Sequence, residues 1–290
     1  MVYLLKIVVR LALRIFCPQI IIHEKWFLNP KGPVLLLANH PDSFLDAVII
    51  GASYQRKIHF LARGDVFEHP VFGFLLRSIG MIPIFRAREG KQHLHRNQDT
   101  FQESVEILAK GGAVLIFIEG ICLHTHEIQP FKKGAARILA QTQARGVFPL
   151  LHVIGMGYND FAQFGKKVIV HIEELEQKHV ISSPKDFLDF NERMMAHMTR
   201  ILEIPTDKTR ILKGISYAVH WPFYWPIRQF VYQKTKGTVF YDSVLFAVLL
   251  FTYPVYLLIL GGLLTYFDVP SPIILLVLLW MPISARMSLK

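Results

Sequence analysis

Apolar and polar positions along the chain fall into alternating blocks. An unbroken apolar run at 34–38 stops at Asn39, His40, Pro41, Asp42 and Ser43, and a second run at 44–50 encloses Asp46. A short buried strand, a polar corner and a helix produce that pattern. Pro41 suits the first helical position, where its missing N–H costs nothing. Asp42 and Ser43 then lie near the positive end of the helix dipole. Further strands are predicted in 20–29, 57–63, 80–86, 113–120, 146–158 and 167–173. A helix over 65–79, interrupted near Pro70, carries Phe67, Val71, Phe74 and Leu75 on its apolar face. Helical spacing recurs over 98–110, stopped by Gly111 and Gly112, and over 184–202, where Phe187, Phe190, Met194 and Met198 form a core-facing stripe. Strands alternating with helices predict an α/β fold, a largely parallel sheet flanked by helices. Residues at the strand ends then converge on one edge, where such sheets place ligands.

The two ends of the chain differ in kind. Residues 1–16 are apolar except for Lys6, Arg10 and Arg14, which recur every four positions and form one helical stripe. A cation on every turn suits a helix lying in a membrane interface, with the stripe among phosphates, better than a spanning one. The segment has no small-residue cleavage site and is not read as a signal peptide. Tyr217, Trp221, Tyr224, Trp225 and Tyr232 form an aromatic cluster of the kind found at membrane interfaces. Residues 244–267 are then 24 positions without a charge, more than the roughly 20 that cross a bilayer. After a turn at 268–272, residues 273–285 are apolar again but short. The expected organisation is an interfacial helix over 1–22, a catalytic domain over 23–205, an aromatic juxtamembrane segment over 206–243 and a C-terminal transmembrane helical hairpin over 244–290. Lys234, Lys236, Arg286 and Lys290 flank the open ends of that hairpin, while the turn holds only Asp268. Positive-inside bias puts the domain on the cytoplasmic side of the membrane.

Composition narrows the partners. Lys and Arg number 32 against 22 Asp and Glu, a net charge of +10. Such an excess suits nucleic acid or an anionic membrane. No zinc-finger spacing and no long basic run occurs, so nucleic acid is set aside. The 2 cysteines, Cys17 and Cys122, lie far apart and give no disulfide framework. His124 and His126 have no evident third ligand, and no metal is expected.

His40 carries the candidate chemistry. A histidine held by a carboxylate takes a proton from a hydroxyl near neutral pH. Asn39-His40 followed by an Asp, with Glu119-Gly120 about 80 residues on, resembles the glycerolipid acyltransferase superfamily. Its first block has four residues between His and Asp, whereas five separate His40 from Asp46. Either the turn carries one extra residue before Asp46 rejoins His40, or Asp42 takes its place; the flanking Ser-Phe-Leu-Asp-Ala-Val favours Asp46. Gly80 to Arg86 matches the second block, whose arginine is tied to the acceptor phosphate, a role that falls on Arg86. The third block is half present. Phe117, Ile118, Glu119 and Gly120 match it, but Ile121, Cys122 and Leu123 stand where the family has Thr-Arg-Ser. Lys132 and Lys133, in the segment that continues this block into a helix at 130–140, supply positive charge near that missing arginine.

The resemblance implies a membrane-bound O-acyltransferase. It would move a fatty acyl chain from acyl-CoA or acyl carrier protein, as co-substrate and without a cofactor, to the hydroxyl of lysophosphatidate or glycerol 3-phosphate in phospholipid synthesis. His40 and Asp46 are the implied catalytic pair, with Arg86, Glu119, Gly120, Lys132 and Lys133 binding substrate. Two other readings stand beside it: acylation of a phosphate-free lyso-aminolipid, motivated by the missing arginine, and a non-catalytic lipid-binding membrane protein.

Overall fold

The computed structural model describes residues 2–85, 97–162, 164–176, 179–206 and 215–287. Seven strands form one sheet in the order β1-β7-β6-β2-β5-β3-β4. They are β1 (Gln19–Ile22), β2 (Val34–Ala38), β3 (His59–Arg63), β4 (Met81–Ile84), β5 (Ala113–Phe117), β6 (Leu150–Tyr158) and β7 (Lys167–Leu175). The strands from β6 to β4 run parallel. β7 is antiparallel to β6, and β1 is parallel to β7, so one end of the sheet runs against the rest. β1 therefore belongs to the sheet.

Period-two alternation in β2 explains the layers. Val34, Leu36 and Ala38 face one core and Leu35 and Leu37 the other, all fully buried. The second core is closed by α4 (Asn97–Ala109), α5 (Gly134–Ala144) and α6 (Pro184–Ile201), with Phe190, Met194 and Met198 buried in it. The first is closed by α1 (Val2–Phe16), α2 (Phe44–Ser53), α7 (Ile215–Thr235) and α8 (Tyr241–Tyr266). Val231, Tyr241, Leu245 and Phe246 are buried in that core. The start of the long apolar helix is thus part of the domain. α9 (Ser271–Met287) follows, with Leu278 near Gly261 of α8.

Three local expectations change. The cationic stripe of α1 turns inward at its first two positions. Lys6 Nζ donates to the carbonyls of Tyr54 and Arg56 at 2.8 and 2.7 Å, and Arg10 Nε to that of Ala52 at 2.6 Å. These carbonyls lie at the C-terminal end of α2, the negative end of its dipole, which attracts cations as phosphate would. Leu5, Ile7, Val8 and Leu11 are left exposed. The 65–79 helix is interrupted at Pro70 as expected, a 3-10 turn over Gly64–Glu68 preceding α3 (Pro70–Ser78), because Pro70 has no N–H to continue the first piece. The apolar face of α3 does not pack: Val71, Phe74 and Leu75 are exposed, Phe74 by 77%. Finally, α2 begins at Phe44, so Pro41 stays in the corner outside the helix.

Candidate active site

The corner after β2 is built outward from Asn39. Its side-chain amide donates to the Met156 carbonyl at 2.9 Å, and its carbonyl oxygen accepts from the Met156 N–H at 2.8 Å. Asn39 thereby imitates one more residue of strand pairing on β6 and fixes where the chain leaves the sheet. The following His40 ring stacks on Phe117 at the end of β5, with centroids 3.8 Å apart and planes at 10°.

The extra residue of the corner is absorbed at Ser43. Its φ of 53° and ψ of −134° form a combination that side-chain-bearing residues rarely adopt, costing about 1–3 kcal/mol. The helix that follows presents Asp46 from its first turn back toward His40. Asp46 Oδ2 lies 2.9 Å from His40 Nδ1 and 2.8 Å from the Asp42 N–H. Tyr158 donates its hydroxyl proton to Asp46 Oδ1 at 2.6 Å. Burial pushes the Asp46 carboxyl above its ordinary range, against the opposing pull of the hydrogen bonds from His40 and Tyr158. A carboxylate accepts only, so Nδ1 carries the imidazole proton and the lone pair stands on Nε2. Among the described residues no hydrogen bond occupies Nε2. The structure thus pairs His40 with Asp46 rather than Asp42.

Asp42 belongs to a second cluster. Lys166 Nζ lies 2.7 Å from Asp42 Oδ2 and makes a further ion pair with Asp242 of α8. All three side chains are fully buried. Burial alone would lower the Lys166 pKa, but the two carboxylates outweigh it and hold the ammonium above its ordinary value. His124 Nε2 stands 3.6 Å from the second oxygen of Asp42, and its ring stacks on Phe161.

Glu119 ties the corner to the chain beyond β5. Its two oxygens accept from the N–H groups of His40 and Gln129, each at 3.1 Å, and the side chain is buried. This is a clamp joining the corner to the loop after β5. Burial pushes the Glu119 carboxyl up, while those two N–H groups work against it. An amide cannot accept from both N–H groups, because its nitrogen only donates. Glu119→Gln is expected to cost about 1–3 kcal/mol and to reduce turnover; thermal unfolding and initial rates of the purified variant check this.

Gly120 turns the chain with φ of 63°, and a Cβ there would lie 2.9 Å from Lys132 Cγ. That contact brings the stem of exposed Lys132 beside the clamp, whereas Lys133 is exposed at the N-cap of α5. Arg86 lies outside the described residues. Sequence reasoning overlooked Tyr158, Lys166, Asp242 and Ser243. Tyr158 closes a predicted strand and gave no polar signal. Lys166 sits in a short polar stretch between two strands, and Asp242 is a lone acid beside an apolar run.

Residues 19–153 match the family model described as Acyltransferase. The chain is 29% identical over 162 residues to a chloroplastic 1-acyl-sn-glycerol-3-phosphate acyltransferase of Brassica napus, covering 54% of this chain and 43% of that protein. It is 33% identical over 105 residues to a lyso-ornithine lipid O-acyltransferase of Brucella abortus (strain 2308), covering 36% of each. The chain thus spans less than half the length of these curated relatives. The crystal structure of the 1-acyl-sn-glycerophosphate (LPA) acyltransferase PlsC from Thermotoga maritima superposes with a TM-score of 0.49 at 17% identity, covering 69% of this chain and 80% of that one.

Proposed function

We propose that the protein is a membrane-bound glycerolipid O-acyltransferase in which His40 is the general base. One observation carries this reading: the 2.9 Å contact between His40 Nδ1 and a buried Asp46, which directs the free lone pair of Nε2 away from the helix. Nε2 takes the proton of the acceptor hydroxyl as its oxygen attacks the thioester carbonyl of acyl-CoA or acyl carrier protein. The tetrahedral intermediate collapses with loss of the thiolate, which recovers the proton from His40. Asp46 keeps the ring in the productive tautomer throughout. Lysophosphatidate or glycerol 3-phosphate is the acceptor in the first reading, with Arg86, Lys132 and Lys133 near its phosphate. The experiment is acyl transfer by the full chain from labelled acyl-CoA or acyl carrier protein to glycerol 3-phosphate, lysophosphatidate and a lyso-aminolipid. Transfer to none of them from either donor overturns the reading.

A second acceptor has its own support. Ile121, Cys122 and Leu123 occupy the family's Thr-Arg-Ser positions. One relative, the Brucella protein, is described as acting on a lyso-ornithine lipid. A phosphate-free lyso-aminolipid that outcompetes lysophosphatidate in the same assay selects this reading.

An apolar groove beginning at Phe44, next to the corner, fits the acyl chain. Ala47, Val48, Gly51, Ile58, Phe60 and Met81 line it. A Cβ at Gly51 would come within 2.8 Å of Phe60 Cζ, so a side chain there fills the groove. Gly51→Val is expected to shift preference to acyl chains shorter by about two to four carbons, each buried CH₂ being worth about 0.8 kcal/mol. Competition among acyl donors of graded length reads the shift.

The exposed apolar faces of α1 and α3 suit the membrane surface, and α8 suits a span. α8 has 26 residues, but its first turns are packed in the domain, with Phe246 the last buried residue. Val248, Leu249 and Leu250 still pack against the first core, and residues 251–266 remain, about 24 Å of helix at roughly 1.5 Å per residue, most of the roughly 30 Å hydrocarbon core. Phe251 and Leu258 along that stretch are 73% and 76% exposed. In this reading α9 is the returning arm, and the basic flanks Lys234, Lys236 and Arg286 favour a cytoplasmic side for the domain.

A further inference from the structure

We propose that the start of α8 is a working part of the active site: Lys166, Asp242 and Ser243 are positioning residues that hold the corner carrying His40 and Asp46.

The corner needs outside support. Ser43 is held in a costly backbone conformation, and such conformations persist only where their surroundings over-determine them. Two tethers from α8 reach the corner. The first is ionic and runs from Asp242 through Lys166 Nζ to Asp42 Oδ2. The second is a hydroxyl. Ser243 Oγ accepts from the Leu45 N–H at 3.1 Å and lies 3.4 Å from the Asp42 carbonyl, to which it donates. These tethers grip the residues on both sides of Ser43. Asp42, fixed by both, aims its own N–H at Asp46 Oδ2. A displacement of α8 is thus passed through Asp42 to the carboxylate that orients His40.

The chemistry chosen for the tethers argues for placement rather than adhesion. A buried ion cluster is often no more stabilising than well-packed apolar residues of the same volume, but it tolerates few geometries. Tyr241, Leu245 and Phe246 already supply apolar contact at the same place. Asp242 and Ser243 also sit on the same helix as the exposed stretch that begins at Phe251, about two turns further on. The site is therefore complete only while α8 is seated.

The activity arm of the test rests on the acyltransferase reading; the exchange arm does not. Full-length Ser243→Ala, Asp242→Asn and the double variant are compared in detergent micelles with wild type. Thr252→Ala is the control, because its hydroxyl bonds only to the Val248 carbonyl of its own helix. Amide hydrogen exchange of the 40–47 segment is expected to accelerate about 10-fold in Ser243→Ala, which removes the contacts to the Leu45 N–H and the Asp42 carbonyl. Exchange in β5 and α6 stays as in wild type. Turnover falls about 10-fold or more in each single variant, while KM for both substrates moves by less than about twofold, because misplacement of a catalytic group acts on the chemical step. Thr252→Ala matches wild type. Wild-type exchange in 40–47 in a folded Ser243→Ala protein overturns the proposal. Faster exchange spread equally over β5 and α6 also overturns it, by making α8 a general prop. If Asp242→Asn does not fold, Ser243→Ala alone decides. A wild-type chain that transfers nothing refutes the acyltransferase reading and leaves the exchange result to judge the tethers.

Discussion

Replacing His40 with Ala is expected to lower acyl transfer by about 10²–10⁴-fold, with little change in KM for either substrate. The loss corresponds to about 3–5 kcal/mol of transition-state stabilisation. The fold should survive it, because His40 contributes to the sheet edge through its backbone N–H, which Glu119 still accepts. Asp46→Asn is expected to be nearly as damaging, for a reason visible in the hydrogen bonds. Asp46 Oδ2 accepts from His40 Nδ1 and the Asp42 N–H, and Oδ1 from Tyr158, so an amide with one accepting oxygen cannot serve all three donors. Its oxygen on the His40 side also carries no charge to stabilise the imidazolium formed as the proton is taken. Two residues acting as one unit give losses that do not add, so the double variant should fall little below either single one. Initial rates of the three variants, with circular dichroism to show that each is folded, measure this. Undiminished transfer in folded His40→Ala removes the general base and returns the non-catalytic lipid-binding reading.

Periodicity located all seven strands because each buried strand is a short apolar run between turn signals. It also placed Phe190, Met194 and Met198 in the core. The His40–Asp46 pairing was legible despite the extra residue, since both lie within one corner and its helix. What lay beyond sequence reach was tertiary. The outward apolar face of α3 has the same spacing as an inward one, and only the position of the helix on the domain distinguishes them. The stripe of α1 is equally periodic whether it meets phosphates or the carbonyls at the end of α2. Lys166 and Asp242 are 76 residues apart and meet Asp42 from still farther away. No local pattern announces a pair that only the packing of α8 brings together.

Lys166 carries the second large prediction. Lys166→Met keeps the length of the stem and removes the charge, leaving Asp42 and Asp242 facing each other in a buried site. Breaking one partner out of a buried ionic cluster costs about 3–5 kcal/mol, against a total stability of about 5–15 kcal/mol for a typical domain. The variant should therefore unfold at markedly lower temperature or denaturant concentration at pH 7. The sign of its pH dependence is the sharper test. In wild type, Lys166 is held above its ordinary pKa, so its contribution is complete below the unfolded value and is lost only as pH rises through the folded one. Lys166 itself thus adds no slope in the neutral range. In Lys166→Met the two stranded carboxylates favour protonation, and acidification discharges them. Its stability relative to wild type should rise as pH falls from 7 toward 5. A deficit that stays constant over that range would mean that the methionine merely packs badly. A negligible deficit at pH 7 would mean that the carboxylates find other partners, and the ionic link between α8 and the corner would fall with it.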